Sequence, residues 1–319
     1  MSLVAASPAA AAPATPDTAS LTPESGAYFG VSIDWGVDTA VQQAQRLGEA
    51  PAVLEHATAV PITATESDYL AQFFRQAEGA GALPAITLRP EGDLFDFDAD
   101  AAEAVVAALA KARGGNRIPV YVRFAPDMNA TWVPWGQRPT SFVDAFRLFA
   151  DAVHDGLPGA ATVWSPAAGE GYPFESASTT TDAALDTDGN GRLAAGDDPY
   201  GPYYPGARYV DWVGLSAYHD PSDGGPAVNA VPVPGELDVD LSGAGDLDFY
   251  ARFAVATDTP MMLETAAFYA PGAGGASALA IKSAWWQQVM ASASDAAHPL
   301  LDAVIWRDSS STRAVVGEV

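Results

Sequence analysis

The chain contains no cysteine, very little lysine and no long hydrophobic run. None of its 319 residues is Cys, and Lys occurs only at Lys111 and Lys282. The lack of cysteine excludes disulfides, thiolate nucleophiles and cysteine metal sites, and it leaves the redox compartment open. No run of about 18 apolar residues occurs, so the sequence predicts no helix that spans a membrane.

Positive charge and histidine are also scarce. Asp and Glu number 40 against 15 Lys and Arg, which gives a formal net charge of -25 at pH 7. Such a surface repels phosphate backbones, so we expect no nucleic-acid partner, whereas a neutral ligand is compatible with it. The four histidines lack metal-ligand spacing, which argues against a metal-dependent hydrolase; they are His56, His154, His219 and His298.

Apolar residues make up 49% of the chain, enough for a large buried core. Eight short, nearly continuous apolar runs predict strands covered on both faces: Tyr28–Ile33, Ala52–Glu55, Pro84–Leu88, Pro119–Phe124, Ala161–Trp164, Val210–Ser216, Pro260–Leu263 and Ala303–Trp306. Helical periodicity lies between them, at Val37–Leu47, Glu66–Glu78, Ala99–Ala112, Ser141–His154, Leu247–Ala256 and Ala278–Ser292.

This alternation predicts an α/β protein, a single-domain (β/α)8 TIM barrel over residues 26–319 with long loops on its C-terminal face. The residues after Trp306 do not predict a full closing helix. Residues 1–25 are rich in Ala and Pro, and we expect a disordered tail there. Because this tail lacks Lys and Arg, it reads as a linker left after a secretion signal was removed or replaced. The alternative is the disordered N-terminus of a cytosolic protein.

Four acids follow predicted strands, at the end where barrel enzymes build their active sites: Asp34, Glu55, Asp127 and Glu264. Glu264 directly follows the apolar strand PMML, where an ionised carboxylate is costly unless it is hydrogen-bonded. Its presence there suggests a functional role. An ion pair with Arg123 is the structural alternative, and it would not exclude catalysis.

Asp127 lies in the segment VRFAPDMNATWVPWGQ, beside Asn129, Trp132 and Trp135. Indole faces near a carboxylate suit sugar rings, whose C–H faces stack on aromatic side chains while their hydroxyls bond to amides, Arg and acids. Tryptophans three apart also fit ordinary core packing, but the Pro, Gly and Asn around them favour an exposed loop.

At these residues the chain resembles glycoside hydrolase family 26, whose known members are mainly β-mannanases. In that family an R-x-x-H-E-M-N-G-x-W motif carries the general acid/base on the fourth strand, and the glutamate ending the seventh strand is the nucleophile. The resemblance covers most of the chain from about Tyr28 to Trp306, in the segments RFAPDMNATWVPWGQ, WSP (Trp164–Pro166), YYPGARYVDWVGLSAY (Tyr203–Tyr218), LET (Leu263–Thr265) and KSAWW (Lys282–Trp286).

The resemblance implies a secreted glycosidase, similar to endo-β-1,4-mannanases, that acts on a β-linked polysaccharide or oligosaccharide without a catalytic cofactor. It implies a two-carboxylate, retaining mechanism with Asp127 as acid/base and Glu264 as nucleophile, Tyr218 beside the nucleophile and Trp132 as a sugar platform. We expect a monomer without membrane association. The expected substrate-binding residues are Arg123, Asn129, Trp132, Trp135, Trp164, Tyr218 and Trp306.

Three residues depart from the family motif: Pro126 stands in place of His, Asp127 in place of Glu and Ala130 in place of Gly. Asp127 matters most, because the loss of one methylene withdraws the acid by about 1.5 Å if nothing else moves, and carboxyl separation distinguishes retaining from inverting glycosidases. Three consequences are open: a compensating backbone shift, inversion, or weak activity. The alternative hypothesis is therefore a catalytically silent carbohydrate-binding barrel.

A second motif, DTDGNGRLAAGD, lies in the long loop after the fifth predicted strand. Asp186, Asp188 and Asn190 occupy its positions 1, 3 and 5, a glycine occupies position 6, and Asp197 occupies position 12. This is the spacing of an EF-hand calcium loop, in which the backbone carbonyl at position 7, here that of Arg192, is also a ligand. No EF-hand helices flank the loop, so it predicts a structural Ca²⁺ rather than a sensor. A merely acidic, solvated loop is the alternative.

Overall fold

The computed structural model describes residues 21–115, 118–174, 182–220, 229–243, 247–294, 296 and 298–308. Most of the tail predicted for residues 1–25 lies outside the described residues, as do residues 309–319, for which no full closing helix was expected.

Eight parallel strands form one closed barrel, in which each strand pairs with the next along the chain and the last pairs with the first. The predicted (β/α)8 TIM barrel is therefore confirmed. The second and seventh strands extend past their apolar runs at the C-terminal end, to Val60 and Ala267. The strands are β1 (Tyr28–Ile33), β2 (Val53–Val60), β3 (Leu83–Pro90), β4 (Val120–Phe124), β5 (Ala160–Trp164), β6 (Trp212–His219), β7 (Met261–Ala267) and β8 (Leu301–Asp308).

The α-helices in the described part of the chain are α1 (Ala40–Leu47), α2 (Ala64–Ala80), α3 (Ala99–Arg113), α4 (Pro139–Gly156), α5 (Glu236–Ser242) and α6 (Ala278–Ser294). Local signals set their ends. In α2, Thr63 and Glu66 form a reciprocal capping box, and Gly81 ends the helix in the left-handed conformation with φ 68°. None of these helices is long and apolar enough to cross a membrane.

Two helical segments differ from the sequence prediction. Helix α5 was not predicted, because it lies in a loop rich in Gly, Pro and Asp. The segment predicted as a helix over Leu247–Ala256 contains a π-helix at Tyr250–Val255. Both belong to the β6–β7 connection.

The connection from β5 to β6 has no α-helix among its described residues. Its helical elements are three short 3-10 turns, Ala183–Leu185, Gly201–Tyr203 and Ala207–Tyr209. Aromatic rings cover the outer face of β5 instead. The Trp164 ring packs against Tyr204 and against Phe253 of the π-helix, with ring centroids 5.1 and 4.9 Å apart. These rings fill the layer that a helix usually occupies in a (β/α)8 barrel.

The lower half of the barrel interior is packed with apolar side chains. Tyr121 and Trp212 meet edge to face with ring centroids 5.0 Å apart, beside Met262 and Ile305. The Tyr121 hydroxyl donates a hydrogen bond to the carbonyl of Leu21. The chain therefore already contacts the bottom of the barrel at the first residue that the structure describes.

The upper half of the interior is polar. Side chains of a strand alternate between its two faces, so the next inward positions after the apolar layer lie toward the C-terminal strand ends. We call this end of the barrel the mouth. Its inward residues are Ser32, Glu55, Thr87, Arg89, Arg123, Ser216, Tyr218, Glu264 and Arg307.

Candidate active site

The backbone changes direction sharply where β4 ends. Ala125 and Asp127 both have positive φ, 46° and 58°. This conformation is uncommon for residues other than glycine and costs on the order of 1 kcal/mol or more, although Asp tolerates it better than Ala. The Asp127 N–H donates to the Ser165 carbonyl at 2.9 Å, and the Asp127 carbonyl accepts from the Ala130 N–H at 2.9 Å. Hydrogen bonds to both neighbouring turns therefore hold the strained segment in place.

The Asp127 carboxylate has acceptor capacity left. Its Oδ1 atom is buried and accepts no hydrogen bond from the described residues, while the residue as a whole is partly exposed. A buried carboxylate oxygen without a protein donor is costly unless a ligand or solvent supplies one. Asp127 is thus available to accept a hydrogen bond from, or to exchange a proton with, a molecule bound at the mouth.

Glu264 is the second carboxylate of the mouth, and it is only 3% exposed. Three residues from other strands contact it. The Arg123 guanidinium forms an ion pair with Oε2. The Tyr218 hydroxyl donates to Oε1 at 2.5 Å, and an Arg307 Nη1 lies 3.6 Å from the same oxygen. These contacts stabilise the ionised form and fix the orientation of Glu264.

Arg123 also joins Glu264 to the opposite part of the mouth. Its Nη2 donates to Glu55 at 2.7 Å, and its Nε donates to the Thr87 hydroxyl at 3.0 Å. Burial raises the pKa of Glu55, but the charge of Arg123 and the Thr87 hydrogen bond outweigh burial and hold that pKa below its ordinary value. Glu55 is therefore an ionised anchor for Arg123, with its own acceptors already in use.

Tyr218 is an inward residue of β6 whose hydroxyl donates to Glu264. Burial raises the pKa of its hydroxyl, and the negative charge of Asp127 raises it further, while Arg307 and Arg123 act in the opposite direction. The phenol therefore stays protonated and donates to Glu264. Asp127 follows β4 at the same end of the barrel, and its negative charge acts on this hydroxyl as well.

Trp132 is the expected sugar platform, and it is 59% exposed. Its ring meets Phe174 edge to face with centroids 4.9 Å apart. One face of the indole is thus supported by the protein while much of the ring is open. This arrangement suits stacking against the C–H face of a sugar.

No family model matches the sequence, and no curated protein sequence matches it. Solved structures do match. The catalytic domain of the Bacillus sp. JAMB-750 GH26 endo-β-1,4-mannanase is 17% identical, with a TM-score of 0.58 over 88% of this chain and 76% of that chain. A Cellulomonas fimi endo-β-1,4-mannanase double mutant is 16% identical, with a TM-score of 0.61 over 90% and 66%.

The fold is like that of glycoside hydrolase family 26 enzymes. One of two fungal β-1,4-galactanases matches as well, at 13% identity with a TM-score of 0.51 over 88% of this chain and 89% of that chain. Identities this low establish the fold alone. The chemistry of this chain has to be argued from its own side chains.

Two residues predicted to bind substrate beside Asp127 lie in the core instead. Asn129 is fully buried, and its side chain bonds to both the N–H and the carbonyl of Ala167 at 2.9 and 2.8 Å. Trp135 is 4% exposed, and its indole N–H donates to the Pro126 carbonyl. Both hold the loop that carries Asp127, so they position the site rather than contact a sugar.

Trp164 and Trp306 also need correction, because both side chains point outward from the barrel. Trp164 is fully buried among the rings that cover β5, and its N–H donates to the Tyr203 carbonyl. Trp306 is 1% exposed and packs against Trp286 of α6 with centroids 5.3 Å apart. Rings buried behind the sheet cannot stack on a substrate at the mouth.

Sequence reasoning missed five residues of the mouth, of which Thr87, Arg89 and Arg307 contact or border the candidate carboxylates. A usable signal existed. Each is a polar side chain at a strand end that is otherwise apolar, in ITLRP and VIWRD. An inward side chain two positions beyond the apolar layer must be polar to face solvent or ligand, so the alternation itself marks them.

The predicted calcium loop brings its acids together. Asp186, Asp188 and Asp197 each offer a carboxylate oxygen, and these oxygens all lie within 4.8 Å of one another. Asp186 accepts the N–H groups of Asn190 and Gly191 at 2.9 and 2.8 Å, which winds the loop around its centre. Asp197 is buried, and backbone N–H groups on both sides of the loop, including that of Ala194, donate to its carboxylate.

Proposed function

We propose that this protein is a glycoside hydrolase of the family 26 type, an endo-β-1,4-mannanase-like enzyme that cleaves a β-linked polysaccharide, with mannan as the first candidate. The observation that carries the proposal is the presence of two carboxylates at the barrel mouth: Glu264, which accepts a hydrogen bond from Tyr218, and Asp127, which follows β4 and has a buried Oδ1 without a protein donor. The likeness of the fold to family 26 mannanases and the exposed ring of Trp132 support it.

The two carboxylates differ in the way that retaining glycosidases require. Glu264 is buried and oriented by Arg123 and Tyr218, as suits a nucleophile, whereas Asp127 is partly exposed with an unused oxygen, as suits proton exchange. In the first step Asp127 donates its proton to the glycosidic oxygen while Glu264 bonds to the anomeric carbon and the C–O bond breaks. In the second, Asp127 takes a proton from the water that displaces Glu264.

Arg123 and Tyr218 act on this reaction through Glu264. Their hydrogen bonds and charge hold the carboxylate in one orientation before the substrate arrives, so no reorganisation is needed in the transition state. Arg123 is itself held by Glu55 and Thr87. Hydrogen bonds and ion pairs therefore connect Glu55 of β2, through Arg123, to the proposed nucleophile Glu264.

The positive φ at Ala125 and Asp127 supports a compensating backbone shift as the answer to the missing methylene. A residue in the left-handed region projects its side chain differently from one in extended backbone, and this can return a shorter acid toward the glycosidic oxygen. On this basis we propose retention, which requires carboxyl groups about 5–5.5 Å apart. The competing hypothesis, a carbohydrate-binding barrel without activity, is motivated by the same shorter side chain.

Reducing-sugar release from mannan, glucan and xylan tests the proposal, and NMR of the first-formed anomer tests retention. We expect release from a β-linked glycan and an anomer of unchanged configuration. Asp127→Glu should lower kcat, since a misplacement of about 1 Å costs on the order of 100-fold. Binding of oligosaccharides without release, or a gain in kcat for Asp127→Glu, would favour the silent barrel.

We also propose that the enzyme acts outside the cell, as a monomer, with a structural Ca²⁺ in the loop Asp186–Asp197. An extracellular location is supported by the polymeric substrate and by the tail without Lys or Arg. A monomer is supported by a site whose carboxylates both come from one chain. The ion is supported by three carboxylates within 4.8 Å of one another and by a glycine with φ 83° at position 6.

A further inference from the structure

One arginine at the mouth, Arg89, has no hydrogen-bond or ion-pair partner among the residues that the structure describes. Arg89 is the next inward residue of β3 after Thr87, which itself contacts Glu55 and Arg123. Its Nε is buried without a hydrogen-bond partner, and among the described residues no carboxylate lies within ion-pair distance of its guanidinium. By contrast, Arg123 is bonded to two glutamates and Arg307 to Tyr218.

An unpaired guanidinium in this position is costly. Arginine stays protonated in proteins, and although Arg89 is partly exposed, its Nε–H is buried and lacks the acceptor that a buried charged donor requires. Burial, together with the nearby charges of Arg307 and Arg123, lowers the pKa of Arg89, and Glu55 and Asp127 oppose this only from a distance. The mouth therefore contains a cation that none of its described acids neutralises directly.

The charge balance of the mouth changes during the proposed reaction. At rest three arginines, Arg89, Arg123 and Arg307, face three acids, Glu55, Asp127 and Glu264. Before it can act as a general acid, Asp127 has to be protonated. Three guanidinium groups then face two carboxylates, so the reactive complex carries one positive charge in excess, and of the three arginines Arg89 is the one without a bonded partner among the described residues.

We propose that the substrate carries an anionic group, a carboxylate or a sulfate ester on the sugar, and that Arg89 binds it beside Asp127. This inference rests on the proposed function and narrows its substrate class. The Nε–H and an adjacent Nη–H of a guanidinium form a fork that matches two oxygens of a carboxylate or sulfate. A neutral hydroxyl would use one arm of the fork and leave the charge uncompensated.

The rest of the surface makes this concentration of arginine at the mouth more selective. The chain as a whole carries a net charge of -25 and repels anions in general. An acidic glycan would therefore be repelled by most of the surface and bound only where Arg89 offers an unpaired guanidinium. Non-productive binding away from the cleft is thereby reduced.

The test compares glycans that differ only in charge. The substrates are β-mannan, the same mannan oxidised at C6 to carboxylates, its methyl ester of similar size without charge, and a sulfated mannan. The measured quantity is kcat/KM for each, in wild type, Arg89→Ala, Arg89→Lys and Arg138→Ala. Arg138 is a matched control, because it is an arginine near the rim that is already paired with Asp93 at 2.7 Å. Thermal melting of each variant checks folding.

We expect wild type to prefer an anionic glycan over the methyl ester by ~10- to 100-fold, the range of a charge-assisted hydrogen bond in a partly buried site. The preference should collapse in Arg89→Ala, persist in part in Arg89→Lys, persist fully in Arg138→Ala, and weaken with added salt. A comparison of kcat/KM on the carboxylated and the sulfated mannan shows which of the two anionic groups Arg89 binds.

An equal rate on charged and esterified glycans, or a preference that survives in a folded Arg89→Ala variant, would overturn the inference while leaving the glycosidase intact. If no glycan is cleaved, the proposed function fails. Calorimetric titration with the corresponding oligosaccharides then decides whether Arg89 binds an anionic group. Tighter binding of the acidic oligosaccharide that depends on Arg89 would then support the anion site alone, and equal binding would reject it.

Discussion

The two ends of the barrel interior are built from the same strands but have opposite chemical character. On β4, Tyr121 at the bottom packs against Trp212, while Arg123, two residues later, bonds to two glutamates. The bottom gains stability from apolar burial, whereas the mouth holds charges whose burial costs energy unless they are paired. Residues two positions apart on one strand can therefore have different roles. The apolar layer that stabilises the barrel and the polar layer of the mouth are separated by a single pleat of the strand.

The largest effect should come from the mouth. Glu264→Gln removes the nucleophile but keeps its shape, and Arg123 retains Glu55 as an ion-pair partner. We expect turnover to fall at least ~10,000-fold, with a melting temperature close to that of wild type. Steady-state kinetics on a cleaved glycan measure turnover, and thermal melting measures stability. Retained activity would remove Glu264 from the nucleophile role.

The bottom should respond in the opposite way. Tyr121→Ala opens a cavity in the apolar layer and should lower the free energy of unfolding by about 3–5 kcal/mol, while kcat of the folded fraction stays near wild type. Tyr121→Phe keeps the ring and loses only the hydrogen bond to Leu21, so a loss of about 1 kcal/mol is expected. Denaturant unfolding provides the values. A large kcat loss in either variant would break the contrast between the two ends.

The calcium loop should give an intermediate effect on stability. If Asp186, Asp188, Asn190, Arg192 and Asp197 hold Ca²⁺, chelation should lower the melting temperature by about 5 °C relative to Ca²⁺ at 100 times its Kd. Differential scanning calorimetry with EDTA and with added Ca²⁺ measures the shift.

The matched variants are Asp188→Asn and Asp68→Asn. The first removes a predicted ligand and should abolish the response to Ca²⁺. The second removes an exposed acid of α2 with the same change in charge, and it should leave the response in place. A melting transition that EDTA does not move would favour the acidic, solvated loop instead.

The smallest effect concerns a pair above the mouth. His219 at the end of β6 contacts Glu236 of α5 at 2.5 Å and the Ala230 carbonyl at 2.9 Å. Burial lowers the pKa of His219, but these two hydrogen bonds outweigh it and hold the pKa above its ordinary value. The raised pKa means that the pair stabilises the folded state fully below about pH 6.5, the unfolded value, and loses this contribution as pH rises through the folded pKa.

Unfolding midpoints between pH 5 and 9 measure this dependence. Glu236→Gln should flatten it, because the neutral amide no longer favours the charged imidazole. A Glu236→Gln curve parallel to that of wild type would show that the pair does not couple to stability.

The contrast between the two ends also explains how far the sequence could be interpreted. All eight strands were predictable, because buried parallel strands appear as continuous apolar runs. The same continuity hides which residues face inward, so Trp164 and Trp306 were assigned to the mouth although both point outward. A polar residue inside an apolar run breaks the ambiguity, which is why Arg123 and Glu264 were found.

Backbone conformation and long connections were beyond sequence reasoning. Nothing in RFAPD indicates that Ala125 and Asp127 adopt positive φ, since neither is the glycine that such positions favour. The covering of β5 by rings from two distant loops depends on tertiary contacts that no local period reveals. The acid of the mouth was identified by its neighbours, but its projection into the cleft required the fold.

The hydrogen bond between Tyr121 and Leu21 has a practical consequence for the geometry of the whole molecule. Leu21 lies under the barrel, at the end remote from Asp127 and Glu264. This bond fixes the point at which the described chain enters the barrel, on the side opposite to the mouth. A substitution at Leu21 therefore tests the bottom of the barrel without touching the candidate carboxylates.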